Sequence, residues 1–240
     1  MIWTDCYKGI TIEFDETKHQ LFVNGERNPF NVTGITGIVD KSAALIPWAV
    51  RLAGDYLKAI EGRHITSEDI DEACRQHRIK KESGGTEGTM VHEFAEQHSL
   101  GLNPELPENE KARNGVLAFL RWLEKSEMEI INPEQVIYSK LYGYWGVADA
   151  EARKGNKLYL IDYKTSKAIY STMRYQVAAY RRALIEMKKK KYDGSWILRF
   201  DKITAEFEPF FIDKDESEKD FKAFLAAFSL RKRELQLNGR

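Results

Sequence analysis

Apolar and polar residues alternate from Ile10 to Phe14 and again from Gln20 to Val23, a period of two around a polar connection that predicts a β-hairpin. From Asn31 to Asp40, Gly34 and Gly37 interrupt any period, and a loop or irregular strand is expected. The spacing turns helical from Ile46 to Ile60, with Pro47 tolerated in a first turn. Ser67, followed by Glu68 and Asp69, reads as an N-cap opening a helix towards Ile79, and Ser83-Gly84-Gly85 predicts a break. A helix from Thr86 to Leu100 should then stop at Gly101. Another, from Pro107 to Glu127, carries Val116, Phe119, Leu120 and Leu123 on one stripe.

Beyond this point the period shortens. Gln135 to Ser139, Tyr144 to Ala152 and Lys157 to Lys164 read as strands and Ser171 to Met187 as a helix. Ser195 to Phe200 and Ala205 to Ile212 are again strand-like, and Ser217 to Leu235 closes the chain as a helix. This order predicts an α/β fold: a mixed central sheet of four or five strands flanked by helices on both faces, with an N-terminal hairpin and helices. No composition break divides the chain. A single domain over 1–240 is expected, with 1–83 as N-terminal decoration, 84–213 as the core and 214–240 as the closing helix.

Composition narrows the classes. At 42% hydrophobic and 31% charged, with 6 Pro in 240 residues, the chain is neither disordered nor collagen-like. It has no apolar run long enough to span a membrane, and its start lacks a signal peptide's basic and apolar regions. Its 2 cysteines cannot supply the four thiolates of an iron–sulfur or zinc site, and a reducing cytoplasm is the expected location. The 37 basic and 37 acidic residues cancel, but unevenly. From Glu151 to Phe200 there are 13 Lys/Arg against 4 Asp/Glu; from Glu61 to Glu110 there are 5 against 12. Such asymmetry can give one face a positive potential, although Lys188 to Lys191 also reads simply as a solvated helix end.

Chemistry concentrates between Tyr142 and Lys167. Gly155-Asn156 is a two-residue hairpin signal, and a turn there sets Lys154 opposite Lys157 and Asp149 opposite Asp162. Like charges opposed across a sheet are destabilising, and a divalent cation between them removes the repulsion. Lys164, two residues beyond Asp162, points to the same face. A loop one residue longer would send one aspartate to the other side.

These residues resemble the PD-(D/E)XK nuclease superfamily in its RecB-like branch. The likeness rests on Gly146-Val147-Ala148-Asp149-Ala150, Ile161-Asp162-Tyr163-Lys164-Thr165 and Gln176-Val177-Ala178-Ala179-Tyr180. Upstream, Gly88-Thr89-Met90-Val91-His92 resembles the branch's GxxxH motif. Val32-Thr33-Gly34-Ile35 and Pro47-Trp48-Ala49 are similar to the N-terminal segment of phage and mitochondrial genome-maintenance exonucleases.

The resemblance implies a restriction-endonuclease-like core and one or two Mg²⁺ or Mn²⁺ ions held by His92, Asp149, Asp162 and the backbone carbonyl of Tyr163. It also implies Lys164 as the catalytic lysine, acting with Asp149 and Asp162, and a DNA-steadying face made by Gln176 and Tyr180. The four-cysteine iron–sulfur cluster of some branch members is not expected. The implied activity is metal-dependent hydrolysis of DNA, exonucleolytic and of low sequence specificity, in phage-type recombination, replication or repair.

Lys41 could touch phosphate, and Trp48 is either core or a stacking platform for a DNA strand. DNA ends are the expected partner, with a second copy of the chain or a phage recombination protein as further candidates. A metalloprotease reading of His92-Glu93-Phe94-Ala95-Glu96 lacks the second histidine, since Glu96 stands there. The rival readings are a silent nucleic-acid-binding or assembly protein on the same fold and a structure-specific endonuclease.

Overall fold

The computed structural model describes residues 2–238. The chain opens with four strands, β1 (Ile2–Tyr7), β2 (Ile10–Asp15), β3 (Gln20–Val23) and β4 (Glu26–Asn28), paired as an antiparallel meander in that order. The expected hairpin is therefore the middle of a larger sheet. Ile12, Phe14 and Leu21 turn one face of it onto Tyr138 and Trp145, which fastens the small sheet to the large one.

Asn31 to Asp40 is only in part the loop expected: Val32–Thr36 is helical and residues 37–40 are turn and irregular. Asn31 caps a short helix, α1 (Val32–Thr36), by accepting from the Gly34 N–H. Helix α2 (Ser42–Ala59) starts earlier than its apolar spacing suggested and carries Pro47 inside it, with no fully buried residue. The next helix, α3 (Ser67–Ser99), runs unbroken through Ser83-Gly84-Gly85, contrary to the predicted break. It thus crosses the expected division at residue 83. Its cap is Thr66 rather than Ser67, in a capping box with Asp69.

Two interior glycines cost a helix roughly 1 kcal/mol each, and tertiary contacts offset that here. Lys202 Nζ donates to the Gly84 carbonyl at 3.1 Å and pairs with buried Glu87 at 2.7 Å. Ser83 and Lys111 also bind Glu87, at 3.1 Å and 3.5 Å. Residues far along the chain brace the helix at its glycines, which is why local sequence predicted a break.

Helix α4 (Glu110–Ser126) is capped by Asn109 and packs Val116, Phe119 and Trp122 inward. The main sheet follows: β5 (Glu129–Ser139), β6 (Tyr144–Lys154), β7 (Lys157–Lys164), β8 (Gly194–Phe200) and β9 (Phe207–Ile212). The strands lie in chain order, all antiparallel except β7 with β8. That parallel pair is joined by α5 (Ser171–Lys188), and α6 (Lys214–Leu237) closes the chain.

One core packs α5 and α6 against the sheet through Leu160, Val177, Leu184, Ile197 and Phe224. A second, with Val91, Phe119, Ile161, Tyr163 and Phe200, packs α3 and α4 on the other face. The mixed sheet is covered on both sides, as the order of elements predicted. No helix among the described residues is long and apolar enough to cross a membrane.

The positive stretch does not remain a bare cationic face. Arg174 pairs with Glu216 and Asp220, and Arg181 and Arg182 pair with Glu218. Lys188 and Lys190 converge on buried Glu151, and Arg199 pairs with Asp201 and Glu208. Acids from other elements fold back onto much of that charge.

Candidate active site

The turn after β6 forms at Gly155, whose φ of 58° suits the first central position of a tight hairpin. Lys154 pairs with Lys157 and the ladder continues to Ala150 opposite Ile161, in the predicted register. The paired ladder ends there, one step short of Asp149 and Asp162. Asp149 instead turns its carboxylate onto the neighbouring backbone, where Oδ2 accepts the Tyr163 N–H at 2.6 Å.

From the opposite side α3 delivers His92, with Nδ1 3.3 Å from Asp149 Oδ1 and its ring edge-to-face with Tyr163. Gly88, one turn earlier, permits this approach: a Cβ there would lie 2.9 Å from Thr165 Oγ1, just past Lys164. Lys164 reaches Asp162 Oδ2 at 2.5 Å and donates to the Tyr163 carbonyl at 3.2 Å. On α5, Gln176 donates to the Tyr180 hydroxyl at 2.6 Å, one turn apart on one face.

A cleft of about 290 Å³ is lined by His92, Asp149, Asp162, Lys164, Gln176 and Tyr180 together. Tyr163 lines a small pocket beside it with His92 and Asp149, while its ring belongs to the α3–α4 core. Lys41 and Trp48 are not among the cleft residues: Lys41 is exposed ahead of α2, and Trp48 is half-buried on it rather than core. The cleft also contains Thr33, from the N-terminal motif, and residues that the sequence did not single out, notably His19, Asn31 and Glu134. Glu134 was legible by the same arithmetic that paired the aspartates. Ser139 pairs with Tyr144, and that offset carried along β5 sets Glu134 opposite Asp149, between the pairs Pro133–Ala150 and Gln135–Ala148.

The charges are strongly interdependent. Burial and the nearby Asp149 charge push Asp162 up to about 6, against the pull of Lys164. Burial also works against ionised Asp149, but His92, Lys164 and the Tyr163 N–H outweigh it and hold that carboxyl below its usual range. Burial disfavours charge on Lys164 and His92, yet the two aspartates raise both groups above their ordinary values. Asp162 is 1% exposed, and its Oδ2 makes no hydrogen bond, touching only the Lys164 ammonium.

Two carboxylates, an imidazole and a carbonyl form a donor set suited to Mg²⁺ or Mn²⁺. The buried, non-hydrogen-bonded oxygen of Asp162 fits such a ligand. Among the described residues no three of His, Cys, Asp and Glu are gathered around one point as they stand. His92 lies against Asp149 and Lys164 against Asp162, so each acid meets a side-chain nitrogen of the chain itself.

No protein-family model matches the chain, and no curated protein matches it. Among solved structures, it is similar to a candidate exonuclease from Eubacterium rectale, at 8% identity and a TM-score of 0.45 over 84% of this chain and 86% of that one. It is also similar to an alkaline exonuclease from Laribacter hongkongensis, at 12% identity and a TM-score of 0.36 over 86% of this chain and 93% of that one. Both likenesses are too distant to bear on function, which is argued from the cleft.

Proposed function

We propose that the protein is a divalent-metal-dependent nuclease that hydrolyses DNA phosphodiester bonds, acting as an exonuclease of low sequence specificity. The observation that carries the reading is the convergence of His92, Asp149, Asp162 and Lys164, from α3, β6 and β7, on one cleft. His92, Asp149, Asp162 and the Tyr163 carbonyl would hold the cation. When bound, the cation lowers the pKa of water and neutralises charge developing at the phosphate.

Lys164, kept as an ammonium by Asp162 and Asp149, is better suited to orienting the attacking water and stabilising anionic oxygen than to accepting a proton. Gln176 and Tyr180 offer a polar wall against which a strand can rest. No base-reading motif accompanies them, so affinity would come from phosphates and fall with salt. A role in phage-type recombination, replication or repair is part of the proposal and stands on the sequence resemblance.

End-labelled linear DNA with Mg²⁺ or Mn²⁺ should be degraded by the wild type. Chelator or Lys164→Ala should abolish that, and a covalently closed circle should resist. Degradation that persists in chelator, or that is unchanged in the variant, refutes the metal-dependent chemistry assigned to this cleft. Equal rates on circle and linear form would make the enzyme an endonuclease.

A further inference from the structure

Glu134, like His19, is a cleft residue held at positive φ, a backbone conformation that its side chain disfavours. It lies within β5 with φ of 23°, between residues that pair with β6. Non-glycine residues rarely adopt positive φ, and such outliers persist where the surrounding structure imposes them, often at functional sites. The imposition is visible here: Pro133 and Gln135 are both paired in the ladder, and Glu134 between them drops out of it beside Asp149, with which it lines the cleft.

The result is a third carboxylate on the His92–Asp149 side. Glu134 lines both the cleft and the small pocket beside it, and it feels the charges of Glu96, Asp149 and Glu16, with His92 opposing them. A sheet gains nothing from opposed acids at a strained position. Lys164 answers the charge of Asp162, and His92 lies against Asp149, but among the described residues no ion pair answers Glu134. Asp162, whose buried Oδ2 meets the Lys164 ammonium at 2.5 Å, lines the same cleft.

We infer that Glu134 is a positioning residue for the divalent cation, accepting hydrogen bonds from the water molecules that hydrate it on the Asp149 side. Mg²⁺ keeps several waters and takes only one or two carboxylates directly, so a further acid near its ligands serves the hydration shell. Partners of that kind typically change metal affinity or activity by 10- to 100-fold when removed. The inference rests on the metal-dependent reading proposed above.

The test is Mn²⁺ binding by calorimetry, without DNA, for the wild type, Glu134→Gln, Glu134→Gly and the double variant D149N/D162N. Glu134→Gln is expected to weaken Mn²⁺ binding about tenfold. It should raise the Mg²⁺ concentration for half-maximal cleavage by the same factor and leave the KM for DNA at saturating Mg²⁺ unchanged. Glu134→Gly should lose affinity equally yet melt no lower than the wild type, because glycine accepts positive φ freely. Wild-type affinity in both Glu134 variants overturns the inference, as does a lowered melting temperature in Glu134→Gly with unchanged Mn²⁺ binding. A wild type that binds no Mn²⁺ in the cleft, or binds it as D149N/D162N does, overturns the metal-dependent reading instead.

Discussion

Replacing Lys164 by methionine removes the ammonium and keeps the stem, leaving Asp162 alone in the interior. The pair is 2.5 Å apart, with side chains 17% and 1% exposed. Breaking a buried ion pair by removing one partner costs about 3–5 kcal/mol, and the partial exposure of the lysine argues for the lower end. That cost depends on pH. Asp162 already has a folded pKa near 6, above the carboxylate's ordinary value, and loss of Lys164 raises it further.

Between the ordinary and the raised value the native state holds a proton that the unfolded chain has released. Stability therefore falls as pH rises through that window. Urea unfolding in chelator should show Lys164→Met close to wild type at pH 5 and roughly 3 kcal/mol less stable at pH 8. The double variant with Asp162→Asn should recover most of the loss at pH 8. An equal deficit at both pH values, or none at either, would refute the claim that Lys164 compensates a buried carboxylate.

Gly88→Ala sets a Cβ 2.9 Å from Thr165 Oγ1, next to Lys164. Overpacking of about 1–3 kcal/mol should exceed the roughly 1 kcal/mol gained in helix propensity. Turnover should fall, and adding Thr165→Ala should restore the melting temperature in differential scanning calorimetry. Lys202→Met leaves buried Glu87 with Lys111 and frees the Gly84 carbonyl, so hydrogen exchange should quicken around residues 83–88 of α3 before it does elsewhere. The Thr204 and Ile203 amides, with Arg199, hold the Asp201 carboxyl down at about 2. Its stabilisation is present above about pH 4 and is lost as pH falls towards 2. The wild type's advantage over Asp201→Asn in urea midpoint should vanish across that interval.

Much of this architecture was legible in the chain because its signals are local. The Gly155-Asn156 turn fixed the β6–β7 register, and alternation from Gln135 onwards marked the strands. The four motif residues His92, Asp149, Asp162 and Lys164 do meet in one cleft. Where the reading failed, distant residues decide most of the outcome. Gly84 and Gly85 stay helical because Lys202 and Glu87 brace them; the short helix at Val32–Thr36 was missed for a local reason, its glycines masking the Asn31 cap. The opposed aspartates do not form a ladder pair, since Asp149 satisfies the Tyr163 amide instead. Lys41 and Trp48 sat near a recognisable motif, but proximity in sequence did not carry them to the cleft.

The most direct measurement is anomalous diffraction from a crystal soaked in Mn²⁺. The account predicts a peak in the cleft within about 2.0–2.2 Å of carboxylate oxygens of Asp149 and Asp162, with His92 beside it and Lys164 drawn away from Asp162. Density confined to other parts of the molecule, with the Lys164–Asp162 contact intact, would contradict it.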